Sequence, residues 1–170
     1  MCDSRKMNGT KYVLSGGIAL GLKDEIIASS PLGSCIAFVA YDTNTKIGGM
    51  AHAMLPDISP KGNSNKYVVN AISNLLNLMK EAGVLIDNVH VCLVGCANVL
   101  QRKDDTIAKS MCKSVEQATK DKKVKIRAKS LGGVLRRSVS IDINTGKVYL
   151  SIGDGENKMF CDFNDYTDVH

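Results

Sequence analysis

Ser29-Ser-Pro-Leu-Gly-Ser-Cys-Ile-Ala-Phe-Val-Ala-Tyr-Asp42 and Ile47-Gly-Gly-Met-Ala-His-Ala-Met-Leu-Pro56, separated by the polar Thr43-Asn-Thr-Lys46, form the stretch on which the fold and the chemistry turn. Two apolar runs joined by a short polar turn predict antiparallel strands lying side by side. Cys35, near the start of the first, and His52, near the end of the second, then face each other. A free thiol, with a reference pKa of about 8.5, is mostly protonated at neutral pH, and a neighbouring imidazole can take its proton. Gly33 followed by Ser34 lets the backbone turn tightly and approach a substrate, where amide N–H groups can receive an oxyanion. Gly48 and Gly49 allow a second close backbone approach beside that turn, or mark bulges. On spacing alone the Cys and His fit a small buried thiol and a hydrogen-bonded core histidine better than a catalytic pair.

The rest of the chain reads as one domain of ordinary globular composition. It has 170 residues, 44% of them hydrophobic and 23% charged, enough to bury a real core. With no Trp, five Tyr and three Phe it lacks the aromatic material of a base-stacking surface, so no nucleic acid partner is expected. The net charge of +5 is concentrated between Lys120 and Arg137. The alternation from Val124 to Leu131 makes that run a strand with one solvated face, suited to steering towards an acidic partner. Met1 to Tyr12 is polar and no apolar run approaches the roughly twenty residues that span a bilayer, so a cytoplasmic protein without membrane insertion is expected. Its six cysteines are then read as reduced thiols. Cys92 and Cys96, four apart in a strand candidate, are expected on one face, and no convincing set of metal ligands or cofactor motif emerges.

Residues 1–10 read as a loose N-terminus, 11–152 as the folded domain and 153–170 as an acidic, turn-rich tail in which Phe160 and Phe163 can tuck back. Lys66 to Ala82 carries Val68, Val69, Ile72, Leu75, Leu76 and Met79 at helical spacing, with Gly83 as a stop. Asp105 to Lys120 carries Ile107, Met111, Val115 and Ala118, with Asp104 or Asp105 as its cap. Strands are predicted before and after Gly16-Gly17, at Ile26 to Ala28, Asn88 to Cys96, Val124 to Leu131, Ser138 to Ile143 and Lys147 to Ile152, the last two joined at Asn144-Thr-Gly146. His90 reads as a strand-surface residue. The fold class is α+β: a single layered domain of mixed β-sheet flanked by two main helices.

Leu32-Gly-Ser-Cys-Ile-Ala37, Tyr41-Asp42 and Gly48-Gly-Met-Ala-His-Ala-Met-Leu-Pro56 resemble the signature of the CheD family of chemoreceptor glutamine deamidases. Val94-Gly-Cys-Ala-Asn-Val-Leu100 is similar to that family's Gly-Gly-Ala-Asn-Met segment, with Cys96 in place of a glycine. Leu131-Gly-Gly133, Arg137 and Asp142-Ile-Asn-Thr-Gly-Lys-Val148 are similar to its closing region, whereas Gln101-Arg-Lys-Asp-Asp-Thr106 replaces its Ile-Gly-x-Arg-Asn run. The resemblance implies a layered αβ fold shared with some bacterial toxin deamidases, and hydrolysis of receptor glutamines through a cysteine thioester, without metal or organic cofactor. It implies Cys35 as nucleophile and His52 as base. Ser29 stands where the family has a threonine that completes the set, and Ser30 is the alternative. Gly33, Ser34 and Gly49 are the expected substrate-binding positions. Methyl-accepting chemotaxis receptors and a CheC-type phosphatase are the implied partners, and glutamyl methyl ester hydrolysis a second reaction. The other implied reading is a mainly non-catalytic stimulator of that phosphatase.

Overall fold

The computed structural model describes residues 4–7 and 9–167. The two apolar runs are strands β5 (Ile36–Asp42) and β6 (Ile47–Ala53), paired antiparallel with Ala37 opposite His52 and Tyr41 opposite Gly48. Before them come β1 (Ser4–Met7), β2 (Thr10–Val13), β3 (Ile18–Gly21) and β4 (Ile26–Ser29). After them come α1 (Val68–Glu81), a 3-10 turn at Ile86–Asn88, β7 (His90–Gly95), α2 (Thr106–Asp121), β8 (Lys125–Leu131), β9 (Arg137–Asp142), β10 (Lys147–Ile152) and β11 (Lys158–Asp162).

The strands form two sheets, one ordered β1-β2-β4-β9-β10-β11 and the other β3-β6-β5-β7-β8. Each contains one parallel pair, β2 with β4 and β7 with β8, so both are mixed. The second sheet is the middle layer. Its Ala37, Val39, Tyr41, Met50 and Val94 pack against Val13, Ile27, Val139, Ile141 and Val148 of the first sheet. Its Ile36, Phe38, Ala40, Ala51 and Leu93 pack against Leu75 and Met79 of α1 and Met111 and Val115 of α2. A strand covered on both faces reads as an unbroken apolar run, which is why β5 and β7 lack alternation. The first sheet turns its other face to solvent, and β9 shows the alternation that follows.

Both helices form where the periodicity places them. Gly83, with φ of 99°, ends the first, and the Asp105 carboxylate caps the second by accepting from Ala108 N at 3.1 Å. The stretches read as a loose terminus and a tail both add strands: β1 pairs with β2, and β11 pairs with β10. Phe163 is fully buried and stacks on Tyr41 with ring centroids 5.5 Å apart. An edge strand needs only a neighbour's free N–H and C=O groups, so short polar segments join a sheet that their own pattern does not announce.

Cys92 and Cys96 do not share a face. Cys92 lies between the sheets, while φ values of 137° at Gly95 and 59° at Cys96 turn the chain so that Cys96 packs with the helical layer. The five cysteines among the described residues are free. Among the same residues no helix is long and apolar enough to cross a membrane.

Candidate active site

Cys35 lies one residue before β5, on a turn held from two sides. Leu32 and Arg137 exchange both backbone hydrogen bonds, at 2.8 and 3.0 Å, and Gly33 O and Cys35 O accept from Ala97 N and Cys96 N, each at 2.9 Å. The Arg137 guanidinium, mostly buried, donates to Ser130 Oγ at 2.9 Å and to Gly132 O at 2.7 Å, fixing the loop beside the turn. Cys35 itself is half-buried at the edge of the inter-sheet core.

His52 is wholly buried on the same face of the middle sheet. With Ala37 opposite His52, continuing the register by two residues puts Cys35 opposite Met54 and makes His52 its diagonal neighbour. Diagonal pairs have Cα atoms about 7–8 Å apart and Cβ atoms somewhat closer, a span long side chains cross. The backbone of His52 is bonded on its other edge to the turn between β2 and β3: Gly16 N donates to His52 O at 2.7 Å, and His52 N to Gly17 O at 2.9 Å.

The imidazole's tautomer follows from its partners. Nδ1 lies 3.1 Å from Val13 O, and a carbonyl only accepts, so Nδ1 carries the proton and Nε2 presents a lone pair. Val13 O also accepts from Ser30 N at 3.1 Å. Ser30 Oγ stands 3.4 Å from Nδ1, and Ser15 Oγ 3.5 Å from Nε2.

Burial lowers the His52 pKa below its ordinary 6.5, with the Val13 carbonyl opposing. Burial also raises the Cys35 thiol above its ordinary 9.0, opposed by the Ser15 hydroxyl and by the residue's own backbone N–H. At neutral pH the resting pair is therefore thiol and neutral imidazole rather than a preformed ion pair.

Of the residues expected here, Cys35, His52, Gly33 and Ser34 come together. Ser29 does not supply the hydroxyl beside the imidazole: its Oγ accepts from Val139 N at 3.1 Å, inside the sheet ladder, and Ser30 takes that place. Gly49 is not beside the turn either. It faces the helical layer, where a Cβ would stand 2.6 Å from Leu75 Cδ1 and 2.7 Å from Ala19 O, so its glycine serves packing. Gly33 has an ordinary negative φ and room for a Cβ, 3.6 Å from Val99 Cγ2, so the turn does not require a glycine there. Sequence reading missed Val13 and Ser15; only the Gly16-Gly17 break beside Ser15 marked a turn.

His90 is half-buried and sits opposite Tyr41, at the far end of β5 from Cys35. At about 3.3 Å per residue that is about 20 Å away, too far for a base. A groove of about 300 Å³ lined by Gly33, Ser34, Asn98, Leu100, Arg102 and Ile107 opens beside the turn. A larger groove of about 680 Å³ runs over the outer face of the first sheet; its lining includes Ser29 and Ser30 but neither Cys35 nor His52. Among the described residues no three His, Cys, Asp or Glu side chains converge as metal ligands.

Residues 54–152 match the family model described as CheD chemotactic sensory transduction. The chain is 32% identical over 152 residues to the "Probable chemoreceptor glutamine deamidase CheD" of Chlorobium luteolum, covering 88% of this chain and 76% of that one. It is 32% identical over 148 residues to the "Chemoreceptor glutamine deamidase CheD" of Thermotoga maritima, covering 86% and 94%. It is 34% identical over 139 residues to the "Probable chemoreceptor glutamine deamidase CheD" of Pyrococcus abyssi, covering 78% and 85%. The model match takes in more than half of the chain, and the relatives are at least 32% identical over more than three quarters of it, so the chain belongs to the CheD family.

Proposed function

We propose that this protein hydrolyses the side-chain amide of specific chemoreceptor glutamines to glutamate and ammonia, with Cys35 as nucleophile and His52 as its base. The names of its relatives support the reaction. The observation that carries the assignment of residues is the His52 tautomer: Nδ1 is committed to Val13 O, which leaves Nε2 unprotonated and able to take a proton.

In the forward reaction the Cys35 thiol loses its proton to His52, and its sulfur forms a bond to the carboxamide carbon. The C–N bond then breaks, with His52 returning the proton to the departing ammonia, and a thioester remains. Water attacks the thioester carbon and gives a proton to His52; the C–S bond breaks to release glutamate, and His52 returns that proton to the Cys35 sulfur, restoring the thiol and the neutral imidazole. The Cys35 N–H is a candidate oxyanion donor, together with the amide of Ser34. The same thiol serves glutamyl methyl esters, where methanol leaves instead of ammonia.

A helical receptor segment reaches Cys35 past exposed Val99, Leu100 and Ile107, beside Arg102 and Lys103. This apolar and basic rim suits a protein partner with acidic neighbours, and a CheC-type phosphatase docking there would exclude the receptor. The protein works on the cytoplasmic part of the receptor.

The test is mass spectrometry of a purified receptor cytoplasmic fragment incubated with the protein, reading a gain of about one mass unit per converted glutamine. Conversion by the wild type, lost in Cys35→Ala and lowered about 100-fold or more in His52→Ala, is the expected result. Conversion that persists in Cys35→Ala would end the assignment, and a folded, reduced wild type that converts nothing would turn the reading to the phosphatase-binding role.

A further inference from the structure

Lys66 closes the segment that returns from β6 to α1, and that segment is tied down along its length. Ser59 N donates to Asn70 Oδ1 at 2.7 Å, and Asn63 Oδ1 accepts from Asn70 Nδ2 at 3.1 Å and from Asn74 Nδ2 at 2.9 Å. Asn65 Oδ1, next to Lys66, accepts from Asn74 Nδ2 at 2.6 Å. Asn70 and Asn74 belong to α1, so the segment is fixed to a packed helix. Lys66 O accepts from Met54 N at 2.8 Å and from Leu55 N at 2.9 Å. Met54 is the residue that the β5–β6 register sets opposite Cys35. Lys66 therefore stands one strand beyond Met54, about 10 Å from Cys35 at two strand spacings.

The Lys66 side chain lies on the turn that holds His52. A Cβ built on Gly16 would meet Lys66 Cγ at 3.0 Å and its Cα and Cε at 3.9 Å, so the stem runs across the glycine. Gly16 N donates to His52 O at 2.7 Å, and Ser15 before it sets its Oγ 3.5 Å from His52 Nε2. The ammonium, one bond past Cε, thus stands on the rim of the site on the His52 side. Lys66 is exposed, and among the described residues no carboxylate lies within 4.0 Å of its ammonium. A lysine whose stem is seated and whose head has no acidic partner in its own chain is a cation held ready for an external anion. Arg102 lines the groove on the other side of the Cys35 turn, so cations flank the mouth.

We propose that Lys66 is a specificity-determining residue, its ammonium pairing with a carboxylate one helical turn from the target glutamine. This rests on the reading of the substrate as a helical receptor segment whose glutamine side chain reaches Cys35. On a helix, residues three or four apart have Cβ atoms about 5–6 Å from each other. A Glu or Asp at that offset, with its own reach added to that of the lysine, spans the interval of about 10 Å between Cys35 and Lys66. Glutamines with such a neighbour are converted in preference to those without one.

The experiment uses the full chain and a purified chemoreceptor cytoplasmic fragment, with kcat and KM read for each glutamine by mass spectrometry. Lys66→Met, which keeps the stem, is expected to lower kcat/KM about fivefold at low salt, through KM, with kcat and the urea midpoint unchanged. At about 1 M salt it should match the wild type. Lys66→Arg, which keeps the charge, should stay within about twofold of the wild type. Lys66→Glu should lose more, and recover when the carboxylate one turn from the converted glutamine is replaced by lysine. A Lys66→Met protein equal to wild type at low salt, a loss carried by kcat alone, or converted glutamines with no carboxylate one turn away would overturn the proposal. Binding of the same fragment to Cys35→Ala proteins with and without Lys66→Met is measured in parallel by fluorescence anisotropy. A fragment bound about fivefold more weakly without Lys66, yet never converted by the wild type, would keep the cation site and remove the deamidase reading. Conversion and binding that ignore Lys66 would do the reverse, and a fragment neither bound nor converted would overturn both.

Discussion

Gly95 lies against the backbone carbonyl of Cys35, so close that the first carbon of any side chain would overlap the oxygen. Its φ of 137° adds a conformation that L residues rarely adopt. Gly95→Ala is therefore expected to displace Cys35 and to cost about 3 kcal/mol or more. Gly62→Ala is the comparison, because Gly62 also has a positive φ, 68°, but open space around it, and should lose only about 1 kcal/mol. Urea midpoints of the two variants check the difference; equal losses would mean that contact with the Cys35 carbonyl does not matter.

Ser29 and Ser30 are adjacent, yet their hydroxyls have different employment. Ser29→Ala removes the acceptor of Val139 N in a buried ladder, so a stability loss of about 1–3 kcal/mol is expected. Ser30→Ala removes the hydroxyl near Nδ1 from a partly exposed position, so kcat is expected to fall several-fold with little change in the urea midpoint. Denaturation and turnover measured side by side decide it. Loss of turnover in Ser29→Ala without loss of stability would return the orienting role to Ser29.

Acid should weaken the fold through its histidines. Burial lowers both His52 and His90 below 6.5, and Arg127 and Lys125 lower His90 further. In the unfolded chain both return to about 6.5, so below that pH the unfolded state binds more protons than the folded one. This part of the stability is fully present above about pH 6.5 and is lost as the pH falls through the folded values. Urea midpoints between about pH 8 and pH 5 should decline on the acid side, and His52→Gln should flatten part of that decline. With His52 as the proposed base, acting neutral, the acid limb of turnover should likewise lie below pH 6.5; a limb above that value would contradict the buried imidazole.

The C-terminal segment should prove structural. Phe163 fills space between the sheets against Tyr41, and its N–H donates to Gly146 O at 3.0 Å. Phe163→Ala is expected to cost about 3–5 kcal/mol, the range for emptying an aromatic site in a core. A thermal or urea melt reads it, and a loss below about 1 kcal/mol would mean that the segment is dispensable.

The sequence by itself determined the hairpin of β5 and β6, the two amphipathic helices and the β9–β10 turn, because each rests on a period or a turn within a few residues. It also placed Cys35 and His52 on facing strands, since a short polar turn sets the pairing of its neighbours. The tertiary structure alone decided which groups surround them. Val13 and Ser15 reach His52 through the pairing of β3 with β6, a contact between segments far apart in the chain. Ser29 and Ser30 differ only in where the chain stands when β4 ends, and Gly49 faces the helices because strand parity, fixed by register, sends alternate residues to opposite layers. Local pattern specifies an element, but the partner of a side chain is set by which element packs against it.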